Sequence, residues 1–180
     1  MNSLLSCVIQ LCIYAGGGVN KIVLGCNTAH VFLREIESRV PECRGKILDM
    51  ITYLGKDIAS AGIRIVSLLA SEGTLETKVY DAHFLDFGIN VVAPKNGDFV
   101  LLRQWIEDVK QNRFLERDLQ SFRDYMDGCK NEALVLGCTE LPILLREACK
   151  NGWKPKCRIF DPLESVISIL KKEYGNSVEG

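Results

Sequence analysis

Residues 22–27 read IVLGCN and residues 134–139 read LVLGCT, and this echo constrains the fold more than any other feature of the chain. Each copy is a short aliphatic run that closes on Gly-Cys and one small polar residue, then opens into a segment with helical spacing. Aliphatic and β-branched residues in an unbroken run suit a strand buried on both faces, as in a parallel sheet. The glycine permits a tight turn, and the polar residues after it suit a helix start. One strand–turn–helix unit occurring twice predicts an α/β protein with two lobes of similar build, each with a parallel sheet.

The rest of the chain keeps the same alternation. Strands are expected at Lys21–Leu24, Lys46–Met50, Arg64–Leu69, Ile89–Ala93, Ala133–Leu136 and Arg158–Phe160. Helical spacing covers 28–40 up to Pro41, 51–61 up to Gly62, 75–88, 140–150 and 162–174. A longer stretch over 98–130 is expected to break near Asn112. An apolar run at 4–15, followed by three glycines, lacks a basic leader, is interrupted by Gln10 and is too short to span a bilayer. It reads as a buried helix.

Charge excludes some partners. The formal net charge is −1, and basic residues alternate with acids, as in RFLERDLQSFRDY at 113–125. Such faces are solvated and give no footprint for nucleic acid or an anionic membrane. Eight cysteines are present without a single CxxC or zinc-type spacing, so no metal site is expected. The chain is also too rich in helix and strand patterns to need a disulfide framework. Free thiols in a reducing cytoplasm fit best. Cys7, Cys12, Cys43, Cys129, Cys149 and Cys157 are expected to be packing residues.

Cys26 and Cys138 differ because each stands at the mouth of a predicted strand, where parallel α/β sheets bind ligands. A helix N-terminus there favours anions and is expected to lower a thiol's pKa. Asn27, Thr28 and Thr139 add polar side chains suited to a carboxylate, and Gly25 and Gly137 are expected to let the backbone approach a ligand. Two thiols on opposed lobes fit inversion of a stereocentre: one removes a proton while the other delivers one to the opposite face. Donors around a substrate carboxylate would have to stabilise the carbanion between those steps. His30 reads as an orienting or packing residue rather than half of a Cys–His dyad, and His83 has no evident partner. The SEGT turn at 71–74 suits either an anion cradle or a helix cap, and Trp105 and Trp153 read as packing anchors.

GCNTAH at 25–30 and LGCTELP at 136–142 resemble the two cysteine segments of the aspartate/glutamate racemase superfamily, nearest the aspartate branch. LLASEGTLETKVY at 68–80 resembles the segment that opens the family's second lobe, and FDPLESV at 160–166 resembles its return to the first. The likeness runs from Gly18 to Leu170. It implies a racemase of aspartate or glutamate that needs no pyridoxal phosphate or other cofactor, with Cys26 and Cys138 catalytic. Asn27, Thr28 and Thr139 become substrate contacts, with Glu140 and Thr74 as further candidates. Relatives of this kind are commonly homodimers. The resemblance also implies a first lobe formed by 1–60 plus 151–180 and a second by 61–150. Family members open with a strand and glycine-rich turn that find no match here, so the first lobe is expected to be incomplete, with an apolar sheet edge. Two other readings stand beside racemisation: an impaired homologue that binds or interacts, or an isomerase of another small acidic substrate.

Overall fold

The computed structural model describes residues 18–174; the expected helix at 4–15 lies outside them. Strands β1 (Ile22–Val23) and β2 (Ile47–Leu48) form a small parallel sheet, with Ile22 opposite Ile47. Strands β3 (Ile65–Ala70), β4 (Asn90–Val92), β5 (Ala133–Gly137) and β6 (Arg158–Phe160) form a four-stranded sheet in the order β4-β3-β5-β6, every pair parallel. The fold is α/β with parallel sheets, as the alternating patterns imply. Every residue of β5 is buried, which is why ALVLG carries no polar alternation.

The helices are α1 (Leu33–Arg39), α2 (Met50–Ser60), α3 (Glu72–Glu76), α4 (Val79–Phe84), α5 (Phe99–Lys110), α6 (Glu116–Asp127), α7 (Glu140–Ala148) and α8 (Pro162–Tyr174). They cover the larger sheet on both faces. On one side Leu54, Ile58, Tyr80, Phe84 and Val166 pack against Val66, Leu68 and Val135. On the other, Trp105, Phe122, Met126, Leu141 and Leu144 pack against Leu69, Leu134 and Leu136. Each large side chain so buried contributes about 1.5–3 kcal/mol. Trp105 meets Phe122 edge-on, with ring centroids 5.2 Å apart, so its role is packing. Trp153 donates from Nε1 to Asp127 at 3.3 Å. A separate cluster of Ile22, Leu24, Ile36, Val40 and Cys43 supports the small sheet.

Several boundaries depart from the sequence pattern. The segment after the first cysteine opens as a 3-10 turn, Thr28–Phe32, before α1 begins. The 75–88 stretch is two short helices, because Lys78 takes a left-handed conformation (φ 50) between them. That break lets Val79, Tyr80 and Phe84 turn into the core, and no Gly or Pro announces it. Asn112 also has positive φ (52), and the long stretch breaks there as expected. Arg158–Phe160, assigned above to the first lobe, instead pairs with β5 in the larger sheet. Its Ile159 and Phe160 disclose a strand, but not which sheet edge it joins. Among the described residues no helix is long and apolar enough to cross a membrane.

Candidate active site

Parallel strands deliver their C-terminal ends to one rim, and both Gly-Cys turns arrive there. Gly25 and Asn27 from the turn after β1 share a cavity of about 230 Å3 with Cys138 and Thr139 from the turn after β5. Asp161 adds a charge to its wall, and Met50, Pro142, Ile143 and Leu163 supply the apolar part. Cys26 is exposed beside the cavity and does not line it. Thr28, Thr74 and Glu140 do not line it.

Asn27 is only 5% exposed, and its Oδ1 accepts a 2.6 Å hydrogen bond from the Tyr80 hydroxyl. Burial, then the charges of Asp161, Cys138 and Asp49, hold the Tyr80 hydroxyl protonated far above the usual tyrosine value. That bond fixes the Asn27 amide with its oxygen toward Tyr80 and leaves its N–H donors uncommitted. Thr28 and Thr74 join their hydroxyls at 2.7 Å, and Ser71 meets Thr74 at 3.0 Å. Ser71 also caps α3 by accepting from the Thr74 amide. The SEGT turn is therefore a helix cap tied to the first cysteine turn. His30 is buried, and its Nδ1 bonds the Cys26 carbonyl oxygen at 2.9 Å, which steadies the backbone rather than the sulfur.

The Cys138 thiol donates to Glu140 Oε2 at 2.9 Å, and the Thr139 hydroxyl donates to the same oxygen at 3.0 Å. Burial first, and the Glu140 carboxylate second, push Cys138 up to about 12. This corrects the expectation of a thiol made acidic by its helix: burial, with a carboxylate in hydrogen-bond contact, outweighs the partial charge of the helix end. Burial pushes Glu140 up, but hydrogen bonds from Cys138, its own backbone and Thr139 bring it below its ordinary value. Lys110, at the end of α5, opposes Glu140 by favouring the Cys138 thiolate. No pattern in the chain singles out Lys110, whose interleaved charges read as a solvated face. Asp161 was legible only as part of a strand–helix junction.

Gly25 and Gly137 turn out to differ. A Cβ at Gly25 would meet nothing within 4 Å, whereas at Gly137 it would come 2.8 Å from Leu68 Cδ1 and 3.1 Å from Tyr80 Cε2. Gly137 thus serves packing of β5 on β3 and α4, not approach to a ligand. His83, expected to stand alone, pairs with Asp49 at 3.1 Å in a separate groove of about 620 Å3. Among the described residues no group of three or more His, Cys, Asp or Glu could hold a metal ion.

The fold and rim define a class: a parallel α/β protein that brings two Gly-Cys turns, from different sheets, to one small cavity. Residues 4–169 match the Asp/Glu/Hydantoin racemase family, and the chain belongs to that family. Its structure is similar to the aspartate racemase of Picrophilus torridus, with a TM-score of 0.75 and 25% identity, covering 97% of this chain and 71% of that one. It shares its fold with a glutamate racemase from Francisella tularensis subsp. tularensis solved with D-glutamate, at a TM-score of 0.66 and 17% identity over 94% of this chain and 62% of that one. An uncharacterized protein of Pectobacterium carotovorum subsp. carotovorum is 25% identical over 62% of this chain and 75% of its own length.

Proposed function

We propose that this chain is a cofactor-independent racemase of a small acidic amino acid, working by acid–base exchange between Cys26 and Cys138. The observation that carries the reading is the shared cavity, which has Gly25 and Asn27 from one cysteine turn and Cys138 and Thr139 from the other. At about 230 Å3 it is smaller than the roughly 300–1,000 Å3 of sites for drug-sized ligands, and suits a single amino acid. The similar structure named an aspartate racemase supports an acidic substrate.

In the resting protein Cys138 keeps its proton beyond neutral pH, so it enters as the acid. Cys26 acts as the base and takes the α-proton. The electron pair passes into the substrate carboxylate, and Cys138 gives its proton to the opposite face. The cycle leaves Cys26 as thiol and Cys138 as thiolate, ready for the other enantiomer. The Asn27 amide and the N-terminal end of α7 face the carboxylate as its charge grows. Thr28 and Thr74 hold the first turn in place, Glu140 sets the proton affinity of Cys138, and Lys110 offsets the cost of its thiolate.

One observation favours a second reading, in which the chain binds such a ligand without turnover: Cys26 stands beside the cavity rather than in its wall. Incubation with L- or D-aspartate in D2O separates the two. Racemisation is expected to place deuterium at the α-carbon, and Cys26→Ser and Cys138→Ser are each expected to abolish it. Turnover that survives both replacements overturns the two-thiol mechanism; binding without exchange supports the second reading.

A further inference from the structure

Among the described residues Asp161 forms no ion pair, and it is the one charged side chain in the wall of the cavity. It follows β6, whose neighbour is β5, so its side chain reaches the same rim as Cys138. Asp161 is the one carboxylate in a wall that otherwise contains neutral side chains and the Cys138 thiol. Its Oδ1 accepts from the Leu163 amide at 2.9 Å, capping α8. Asn or Ser caps a helix about as well as Asp, although the positive end of α8 itself favours a carboxylate there. A charge taken partly out of water is costly unless a cation faces it. Among the described residues Asp161 has no ion-pair partner: burial pushes its carboxyl up, the Leu163 amide brings it partly back, the Glu164 charge raises it and the Glu164 amide lowers it, for a net upward shift.

Resting on the racemase reading, we infer that Asp161 is the ammonium subsite of this cavity, receiving the α-amino group of the ligand while the Asn27 amide faces its α-carboxylate. The ligand supplies the missing counterion. The arrangement also selects: a dicarboxylate of the same length but without an amine places nothing positive against Asp161. Amino acids are therefore preferred to dicarboxylic acids by this residue, independently of the two sulfurs.

Asp161→Asn tests the assignment cleanly, because asparagine keeps the capping oxygen and removes the charge. The full chain, as wild type and as variant, is titrated calorimetrically with D-aspartate and with succinate, and both proteins are melted to confirm folding. Wild type is expected to prefer aspartate, and the variant to lose affinity for it by about tenfold or more, the scale of a charge-assisted hydrogen bond. Succinate affinity is expected to hold or improve, since a repelling charge has gone. A wild type that does not distinguish the two ligands, a variant that retains its preference, or an equal loss for both ligands overturns the inference. Failure of the thiol mechanism reads out separately: aspartate would still bind in preference to succinate, but wild type would incorporate no deuterium.

Discussion

Replacing Tyr80 by phenylalanine removes a single hydroxyl and tests how the first cysteine turn is tied to the larger sheet. Tyr80 is fully buried on α4, and its hydroxyl donates to Asn27 Oδ1 at 2.6 Å across 53 residues of sequence. Phenylalanine keeps the edge-on contact with Phe84, whose ring centroid is 5.5 Å away, so the cost belongs to the hydrogen bond. A neutral bond contributes about 0.5–1.5 kcal/mol net, and stranding a buried acceptor raises the loss to about 1–3 kcal/mol. For a chain of this size each kcal/mol lowers Tm by about 2–4 °C, so a central cost of about 2 kcal/mol gives a fall of about 4–8 °C. Asn27→Ala strands the Tyr80 hydroxyl in the same way. The double variant strands neither group, and its cost is expected to fall short of the summed single costs by about 1–2 kcal/mol. Urea unfolding of the four proteins measures this coupling. Costs that add within about 0.3 kcal/mol would show that the bond carries nothing and that some other contact holds the turn.

Two further outcomes follow from the same coordinates. Gly137→Ala is expected to destabilise by about 1–3 kcal/mol through overpacking against Leu68, Ala70 and Tyr80, while Gly25→Ala, with open space around it, stays near neutral in thermal melts; equal effects would refute the packing role. His83 is raised chiefly by its hydrogen bond to Asp49, and Asp49, although burial pushes it up, is brought down to about 2 by His83 and Thr52. The pair's contribution is therefore full between the ordinary carboxylate and histidine values, fades as pH rises through the elevated His83 value, and fades again as pH falls toward about 2. The stability difference between wild type and His83→Gln, followed by urea melts across pH, is expected to peak near pH 5 at about 1 kcal/mol; a difference that does not vary with pH removes the pair from the account.

How far the sequence could be read depended on the range of the interaction. Runs of one pattern announced themselves: the unbroken apolar stretch of β5, the 3.6-residue stripe of α5 and the left-handed Asn112 that ends the first half of the long helical stretch. Both cysteine turns were visible because strand, glycine and helix start lie within a few residues of each other. The Lys78 break was hidden, since a lysine carries no conformational signature and the burial of Val79 and Tyr80 imposes the bend. The partner of His83 was hidden too, because Asp49 lies on a different element.

Local order, then, was written along the chain: which segments extend, which coil, and which polar groups sit where strands end, all set by side-chain periodicity and backbone preference between near neighbours. Tertiary structure alone decided the chemistry of the rim. It buried Cys138 and so raised a thiol that its helix end should have lowered, left Cys26 exposed, tied the Asn27 oxygen to Tyr80 and carried β6 into the larger sheet so that Asp161 reached the cavity. Those outcomes depend on burial and on groups that meet in space but stand tens of residues apart in sequence, and no periodicity encodes such contacts.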